Sequence, residues 1–183
     1  MQELNNKIIE WAKERNIDKK GTVEGQKIKT IEETSELIKA ICKDKKDDII
    51  DSIGDVWVTQ VIGNMLLEDD EKIDLDEIYK TISEIKQINV LPKIMFLQNL
   101  GFKIYCEMFL YSNEDVRTTL AVLLSICKCY DLKFEDCVES AYNEIANRKG
   151  KMIDGQFVKE SDLKYEVIVE IKVNNGIAID KKA

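Results

Sequence analysis

Two neighbouring segments of the chain, residues 29–40 and 47–58, carry acidic side chains at helical spacing. The acidic positions are Glu32, Glu33, Glu36, Asp48, Asp51 and Asp55. Residues three or four positions apart share one face of an α-helix, so each segment predicts a helix with an acidic face. The polar turn between the segments is short, so the two helices should be antiparallel neighbours whose acidic faces can converge.

Carboxylates that converge in this way need a compensating positive charge. At about 4 Å and an effective dielectric constant of about 20, one ionised pair costs about 4 kcal/mol. Mg²⁺ prefers hard oxygen ligands and is often held jointly by carboxylates and substrate phosphates. The pattern therefore predicts a Mg²⁺-dependent site for a phosphorylated substrate, in which Mn²⁺ can substitute.

A solvated helix face is the competing interpretation, because glutamates at this spacing are common on protein surfaces. Two details favour a site. Asp51 and Asp55 lie within a strongly apolar stretch, IIDSIGDVWV. Gly54 lies in the middle of the same predicted helix, where glycine costs about 1 kcal/mol relative to alanine. A glycine there allows close approach of another backbone or of a ligand.

Composition excludes several classes of function. The formal net charge of −8 disfavours binding to DNA or RNA, whose phosphates it would repel. The absence of histidine removes histidine-assisted nucleophiles and histidine metal ligands. No apolar run is long enough to serve as a signal peptide or to span a membrane. The five cysteines, without a C-x-x-C pair, are expected to be reduced and mostly buried thiols in a cytoplasmic protein.

The positioning elements are predicted to be helices, because the 183 residues include only one proline and eight glycines. Helical periodicity and capping signals predict helices near 3–16, 24–42, 47–67, 74–87, 92–111, 114–130 and 133–149. The predicted apolar stripe of the second helix is Ile28, Ile31, Ser35, Ile38 and Cys42. We expect an all-α antiparallel bundle over residues 1–150, with additional helices at 72–112. Residues 151–183 are expected to form an extension with a small β-hairpin at KYEVIVEIKV and NNG, residues 164–176.

The strings KTIEETSELIKAI and IIDSIGDVWVTQVI resemble the E-E-x-x-E motif and the second acidic motif, ending in G-D, of the MazG-like all-α NTP pyrophosphatases. The opening strings IIEWAKERNI and GTVEGQKIKT, and a third string, resemble in particular the subgroup of phage and bacterial genomes. The third, AYNEIANRKGKMIDGQFVKESD, lies near the end of the chain. The resemblance covers about residues 4–67 and 133–162. It implies hydrolysis of a nucleoside triphosphate to a monophosphate and pyrophosphate, and a homodimer or homotetramer.

Carried over residue by residue, the resemblance implies that Glu33 and Glu36 are the first metal-binding pair and that one of them is the general base. Glu32 matches the preceding acidic position, and Asp55 matches the final aspartate of the second motif. One position departs from the family, because Ser52 stands where a glutamate is often found. Asp51, one residue earlier, is the expected substitute. It lies four residues before Asp55 and shares its helix face.

Further polar residues are candidates for contacts with the nucleotide. The candidates are Gln26, Lys29, Asn64, Asn143, Asn147, Arg148, Lys149 and Lys151. Lys29 could instead pair with Glu33 one turn later. The basic residues at 148–151 could instead complement the dipole of a helix C-terminus. Trp11 and Trp57 are expected to lie in the core.

Two alternative functions remain open at this stage. One is a dUTPase or dCTPase of the same superfamily, which would share the chemistry but restrict the base. The other is a helical module that binds nucleotides without hydrolysing them, which the departure at Ser52 supports. The sequence does not distinguish among the three.

Overall fold

Eight helices and one β-hairpin form the described part of the structure, which is a computed structural model covering residues 1–85, 92–107 and 112–161. The helices are α1 (Gln2–Glu14), α2 (Ile17–Lys20), α3 (Val23–Lys43), α4 (Lys46–Met65), α5 (Leu75–Ser83), α6 (Lys93–Glu107), α7 (Asn113–Cys129) and α8 (Phe134–Ala146). The strands are β1 (Gly150–Ile153) and β2 (Gln156–Lys159), which pair antiparallel. The predicted all-α class is confirmed, and the small hairpin at 150–159 was not predicted. The hairpin predicted at 164–176 lies outside the described residues.

Helix α4 is the central element, and it packs against α3 on one side and α8 on the other. Its apolar residues are buried or partly buried, as expected for a helix that is covered on several sides. Trp57 is fully buried, and its indole nitrogen donates to Oδ1 of Asn5 at 3.0 Å. The ring of Phe134 meets Trp57 edge to face at 5.4 Å. These contacts fix α4 relative to α1 and α8.

Local signals explain where several helices begin. The Thr22 side chain accepts from the backbone N–H of Gly25 and caps α3. Ser112 and Asp115 form a capping box at the start of α7. Pro92 immediately precedes α6, where its fixed φ suits a helix start. Helix boundaries therefore follow from short-range chemistry.

The predicted apolar stripe of α3 is wrong at three of its five positions, whereas Ile38 is partly buried against the core. Ile28 is 54% exposed, and Ser35 and Cys42 are exposed as well. The face that packs in the core carries two threonines together with Leu37 and Ile41. Periodicity did not distinguish the two faces, because the buried face contains polar residues.

The end of α8 also differs from the prediction. The helix ends at Ala146, and Gly150 begins β1 instead of closing a helix. The guanidinium of Arg15 donates to the carbonyls of Ala146 and Arg148, at 2.9 and 3.1 Å, and so satisfies carbonyls at and just beyond the helix end. Among the described residues, no helix is long and apolar enough to cross a bilayer.

Candidate active site

Glu33 on α3 and Asp55 on α4 are partly buried carboxylates that face each other across the α3–α4 packing. Burial raises the pKa of Glu33 to about 7, and the neighbouring charges of Glu36 and Glu32 add to the effect. Burial also raises the pKa of Asp55 to about 8, with the charge of Glu33 as the next cause. Each of the two carboxyl groups is therefore harder to ionise than usual, because ionising both would bring two negative charges together in a partly buried place.

Asp51 lies one turn before Asp55 and meets α8. Burial is the main reason why its pKa is raised, and the charge of Glu144 is the second. Glu144 also pairs with Arg148 one turn later on α8. The acidic cluster therefore draws on three helices, and Arg148 partly offsets its charge.

Gly54 makes this convergence possible. A Cβ atom at this position would lie 2.3 Å from the carbonyl oxygen of Cys137 and 2.6 Å from Cβ of Ala141. Any side chain would push α8 away from α4. The expected close approach is confirmed, and the partner is the backbone of α8. This contact brings Glu144 and Arg148 to the aspartates on either side of the glycine.

A pocket opens over Glu33 and Asp55. Its apolar wall is formed by Trp11, Ile17, Val58, Ile62, Ile145 and Phe157. Its basic side chains are Lys29, Arg148 and Lys159. Gln26 also lines the pocket, and its amide donates to the carbonyl of Thr59 at 3.4 Å. The pocket thus combines an apolar wall with carboxylates and cations, which suits a ligand that has both an aromatic and an anionic part.

The remaining carboxylates lie further out. Glu32 is exposed and pairs with Lys29 at 2.6 Å, so the ion pair of Lys29 is formed with Glu32 and not with Glu33, the partner considered as an alternative. Glu36 is also exposed and lines a second cleft together with Asp51 and Ser52. That cleft lies one turn after Glu33 on α3 and one turn before Asp55 on α4, because the two helices are antiparallel.

Several predicted nucleotide contacts lie away from the pocket. Asn64 exchanges two hydrogen bonds of 2.8 Å with the backbone of Ile73, so its carboxamide organises the loop after α4. The other residues that do not line the pocket are Asn143, Asn147, Lys149 and Lys151, and all four are exposed. The structure gives no support to a contact of these five side chains with a ligand in this pocket. Of the basic cluster at 148–151, Arg148 alone reaches it.

Sequence reasoning missed Glu144, Lys159 and the hairpin. The dipeptide Asp154-Gly155 between short alternating strands is a strong hairpin signal. Both residues have positive φ, 46° and 81°, as a two-residue primed turn requires. Glu144 could have been noticed through its i,i+4 spacing to Arg148. Neither signal indicates which other part of the chain packs against the hairpin or against Glu144.

Trp11 is buried as expected, although one part of it forms the pocket wall. Its indole nitrogen donates to the carbonyl of Ile145 at 2.7 Å, and Phe157 meets its ring edge to face at 5.6 Å. The guanidinium of Arg15 lies 4.6 Å from the centre of the same ring. Trp11 therefore ties α1, α8 and β2 together beside the pocket.

The four cysteines that the structure describes with their side chains are free thiols. Cys127 and Cys137 are buried, whereas Cys42 and Cys129 are exposed. The expectation of reduced thiols agrees with this arrangement. The expectation that most are buried is met for half of these four.

The carboxylates of the pocket fit a hard divalent cation whose remaining ligands are waters and substrate phosphates. Within residues 1–85, 92–107 and 112–161, no three carboxylate or thiol groups form a cage that could hold a metal ion by itself. Mg²⁺ commonly needs only one or two carboxylates, with waters and substrate phosphates completing its shell. Glu33 and Asp55 supply two such carboxylates. Their negative charges repel each other, and a bound cation would offset that repulsion.

Residues 22–95 match the MazG nucleotide pyrophosphohydrolase domain family. Over 62 residues the chain is 44% identical to an uncharacterized 18.2 kDa protein from the rep–hol intergenic region of Haemophilus phage HP1 (strain HP1c1). That alignment covers 34% of this chain and 38% of the phage protein, so the chain spans well under half of this relative. No solved structure matches the chain. The family match includes α3 and α4 with all five acidic candidates but ends before α8 and the hairpin.

Proposed function

Because the MazG-like resemblance is confirmed over residues 22–95, we propose that this chain is a Mg²⁺-dependent nucleoside triphosphate pyrophosphohydrolase. It would cleave ribo- or deoxyribonucleoside triphosphates to the monophosphate and pyrophosphate. One observation carries the proposal: the partly buried pair Glu33–Asp55 opens into a pocket that has cations and an apolar wall. The apolar wall would contact the base, and the basic side chains would contact the phosphates. A divalent cation would offset the repulsion between the two carboxylates.

Glu33 and Asp55 would hold the metal, with Asp51, Glu36 and Glu32 as additional acidic groups around it. When bound, Mg²⁺, or Mn²⁺ in its place, would polarise the phosphate and lower the pKa of an attacking water. Lys29 and Arg148 would orient the phosphates, and Gln26 would line the nucleoside side of the pocket. The acidic assignments follow the family motif, and the assignments of Lys29, Arg148 and Gln26 follow from their positions in the pocket wall.

Glu33 is the better candidate for the general base. It lines the pocket in which the triphosphate would lie, so a carboxylate oxygen of Glu33 that does not bind the metal could accept the proton. Glu36 is exposed and lies in the neighbouring cleft. Glu33 would take one proton from water while the water oxygen bonds to phosphorus. The bridging P–O bond between the α and β phosphates then breaks, and pyrophosphate leaves.

The test is pyrophosphate release from all common NTPs and dNTPs in the presence of Mg²⁺. We expect release by the wild type and a loss of at least about 100-fold in kcat for Glu33→Gln, in line with the contribution of a general base. Glu24→Gln is the matched control, because Glu24 is an exposed glutamate in the first turn of the same helix. Equal activity of Glu33→Gln and wild type would refute the assignment.

The same panel separates the two alternatives. Turnover of a single uracil or cytosine nucleotide would identify a dUTPase or dCTPase. Binding of nucleotide with Mg²⁺ but without pyrophosphate release would identify a non-catalytic module.

We also propose a homodimer or homotetramer. Helix α6 exposes large apolar side chains, with Phe102 62% and Tyr105 60% exposed and their rings stacked at 6.2 Å. A partner subunit would remove this surface from water. Light scattering should give at least twice the monomer mass, and Phe102→Asp should reduce it. A monomeric wild type would contradict the proposal.

A further inference from the structure

Three basic side chains line the pocket, and they differ in how their charge is used. Lys29 is paired with Glu32 at 2.6 Å, and Arg148 is paired with Glu144. Lys159 on β2 has no ion-pair partner within the described residues, and its charge offsets a small part of the rise that burial causes in the pKa of Glu33. An anionic ligand would not have to break an existing ion pair in order to bind Lys159.

Strand geometry places Lys159 on the pocket side of the hairpin. Phe157 and Lys159 are two residues apart on β2, so they share one face, and both line the pocket. Val158 between them points to the opposite face, where its cross-strand partner is Lys151. The pocket face of β2 thus presents an aromatic ring followed by a cation.

The hairpin is fixed to the helical body at both ends of this face. The Phe157 ring packs against Trp11 at 5.6 Å and lies so close to Gly150 that a Cβ there would be 2.6 Å from it. At the turn, the N–H of Thr22 donates to the carbonyl of Gly155 at 3.2 Å. A Cβ on Gly25 would lie 2.8 Å from the same carbonyl oxygen. The backbone of Lys159 is therefore held in place by packing, although its side chain is exposed.

We propose that Lys159 is a phosphate-binding residue that contacts the polyphosphate of the bound nucleotide. Its ammonium would neutralise part of the charge that a triphosphate brings next to Glu33 and Asp55. The inference rests on the proposed function for the identity of the ligand. It adds a residue that lies outside the stretch matched by the family and more than 100 positions after Asp55.

The experiment measures the binding of inorganic triphosphate with Mg²⁺ by calorimetry. Lys159→Gln should weaken binding by about tenfold, the size expected for one charge-assisted contact. Lys159→Arg should bind within about threefold of wild type, because it keeps the charge. Lys20→Gln is the control for net charge, since Lys20 is exposed and lies outside the pocket wall. Thermal melting establishes that each variant is folded.

Turnover is measured separately, so that the two proposals can fail independently. If the wild type binds triphosphate but releases no pyrophosphate from any nucleotide, the proposed function fails and the role of Lys159 stands. In an active enzyme, Lys159→Gln should raise KM more than it lowers kcat. Wild-type affinity of Lys159→Gln, an equal loss in Lys20→Gln, or failure of the wild type to bind triphosphate would each overturn the inference.

Discussion

Replacing Asp55 with asparagine should stabilise the metal-free protein at alkaline pH. In the unfolded chain an aspartate ionises at its ordinary pKa of 3.8, whereas burial raises the pKa of Asp55 in the fold to about 8. Between these values the folded state keeps a proton that the unfolded state has lost. The free energy of unfolding therefore falls as the pH rises, and the loss is complete above pH 8. Asparagine does not ionise, so Asp55→Asn removes this loss.

The magnitude follows from the linkage between protonation and folding. One pKa unit corresponds to about 1.4 kcal/mol, so the full effect between pH 5 and pH 8 would be about 4 kcal/mol. Part of the rise comes from Glu33, which itself ionises at about pH 7, and part of the Asp55 side chain is open to solvent. We therefore expect about half of this value, about 2 kcal/mol, after allowing for solvent screening.

The assay is urea denaturation in EDTA at pH 5, 6, 7 and 8. The stability difference between Asp55→Asn and wild type should grow by about 2 kcal/mol from pH 5 to pH 8. Asp70→Asn is the control, because Asp70 is an exposed aspartate in the loop after α4. A difference that stays constant with pH, or a variant less stable than wild type at pH 8, would refute the reasoning. Mg²⁺ should stabilise wild type more than the variant.

Three further predictions follow from the same site. EDTA should abolish turnover, and Mg²⁺ or Mn²⁺ should restore it; full activity in chelator would exclude the mechanism. Asp51→Asn should reduce the rate nearly as much as Asp55→Asn, whereas Ser52→Ala should be mild; if Asp48→Asn loses activity instead and Asp51→Asn does not, the register of the site on α4 is wrong by one turn. Gly54→Ala should destabilise the fold by about 1–3 kcal/mol in denaturant titrations, because its Cβ would overlap a backbone oxygen of α8. Gly101→Ala is its control, since a Cβ there meets none of the described residues within 4 Å, and it should stabilise α6 by up to about 1 kcal/mol; equal effects of the two changes would contradict the packing argument.

Local patterns predicted much of the fold. Helix positions followed from periodicity and from caps such as Ser112, which act within a few residues. The apolar stripe of α3 was wrong at three positions because its buried face contains threonines, which periodicity counts as polar. The hairpin at 150–159 was missed although its Asp-Gly turn is a local signal. The end of α8 was misplaced because Arg15, from a distant helix, takes up the carbonyls there.

The sequence by itself determined the acidic spacing on α3 and α4, and the glycine that lets a second backbone approach. Only the tertiary structure decided which carboxylates are buried: Glu33 and Asp55 lie in the pocket, while Glu32 and Glu36 are exposed. It also decided that Glu144 and Lys159 join them. The physical reason is that burial depends on which surfaces cover a helix, and here α8 and the hairpin provide that cover from about 80 to 125 residues further along the chain. Spacing along one helix contains no information about such a partner.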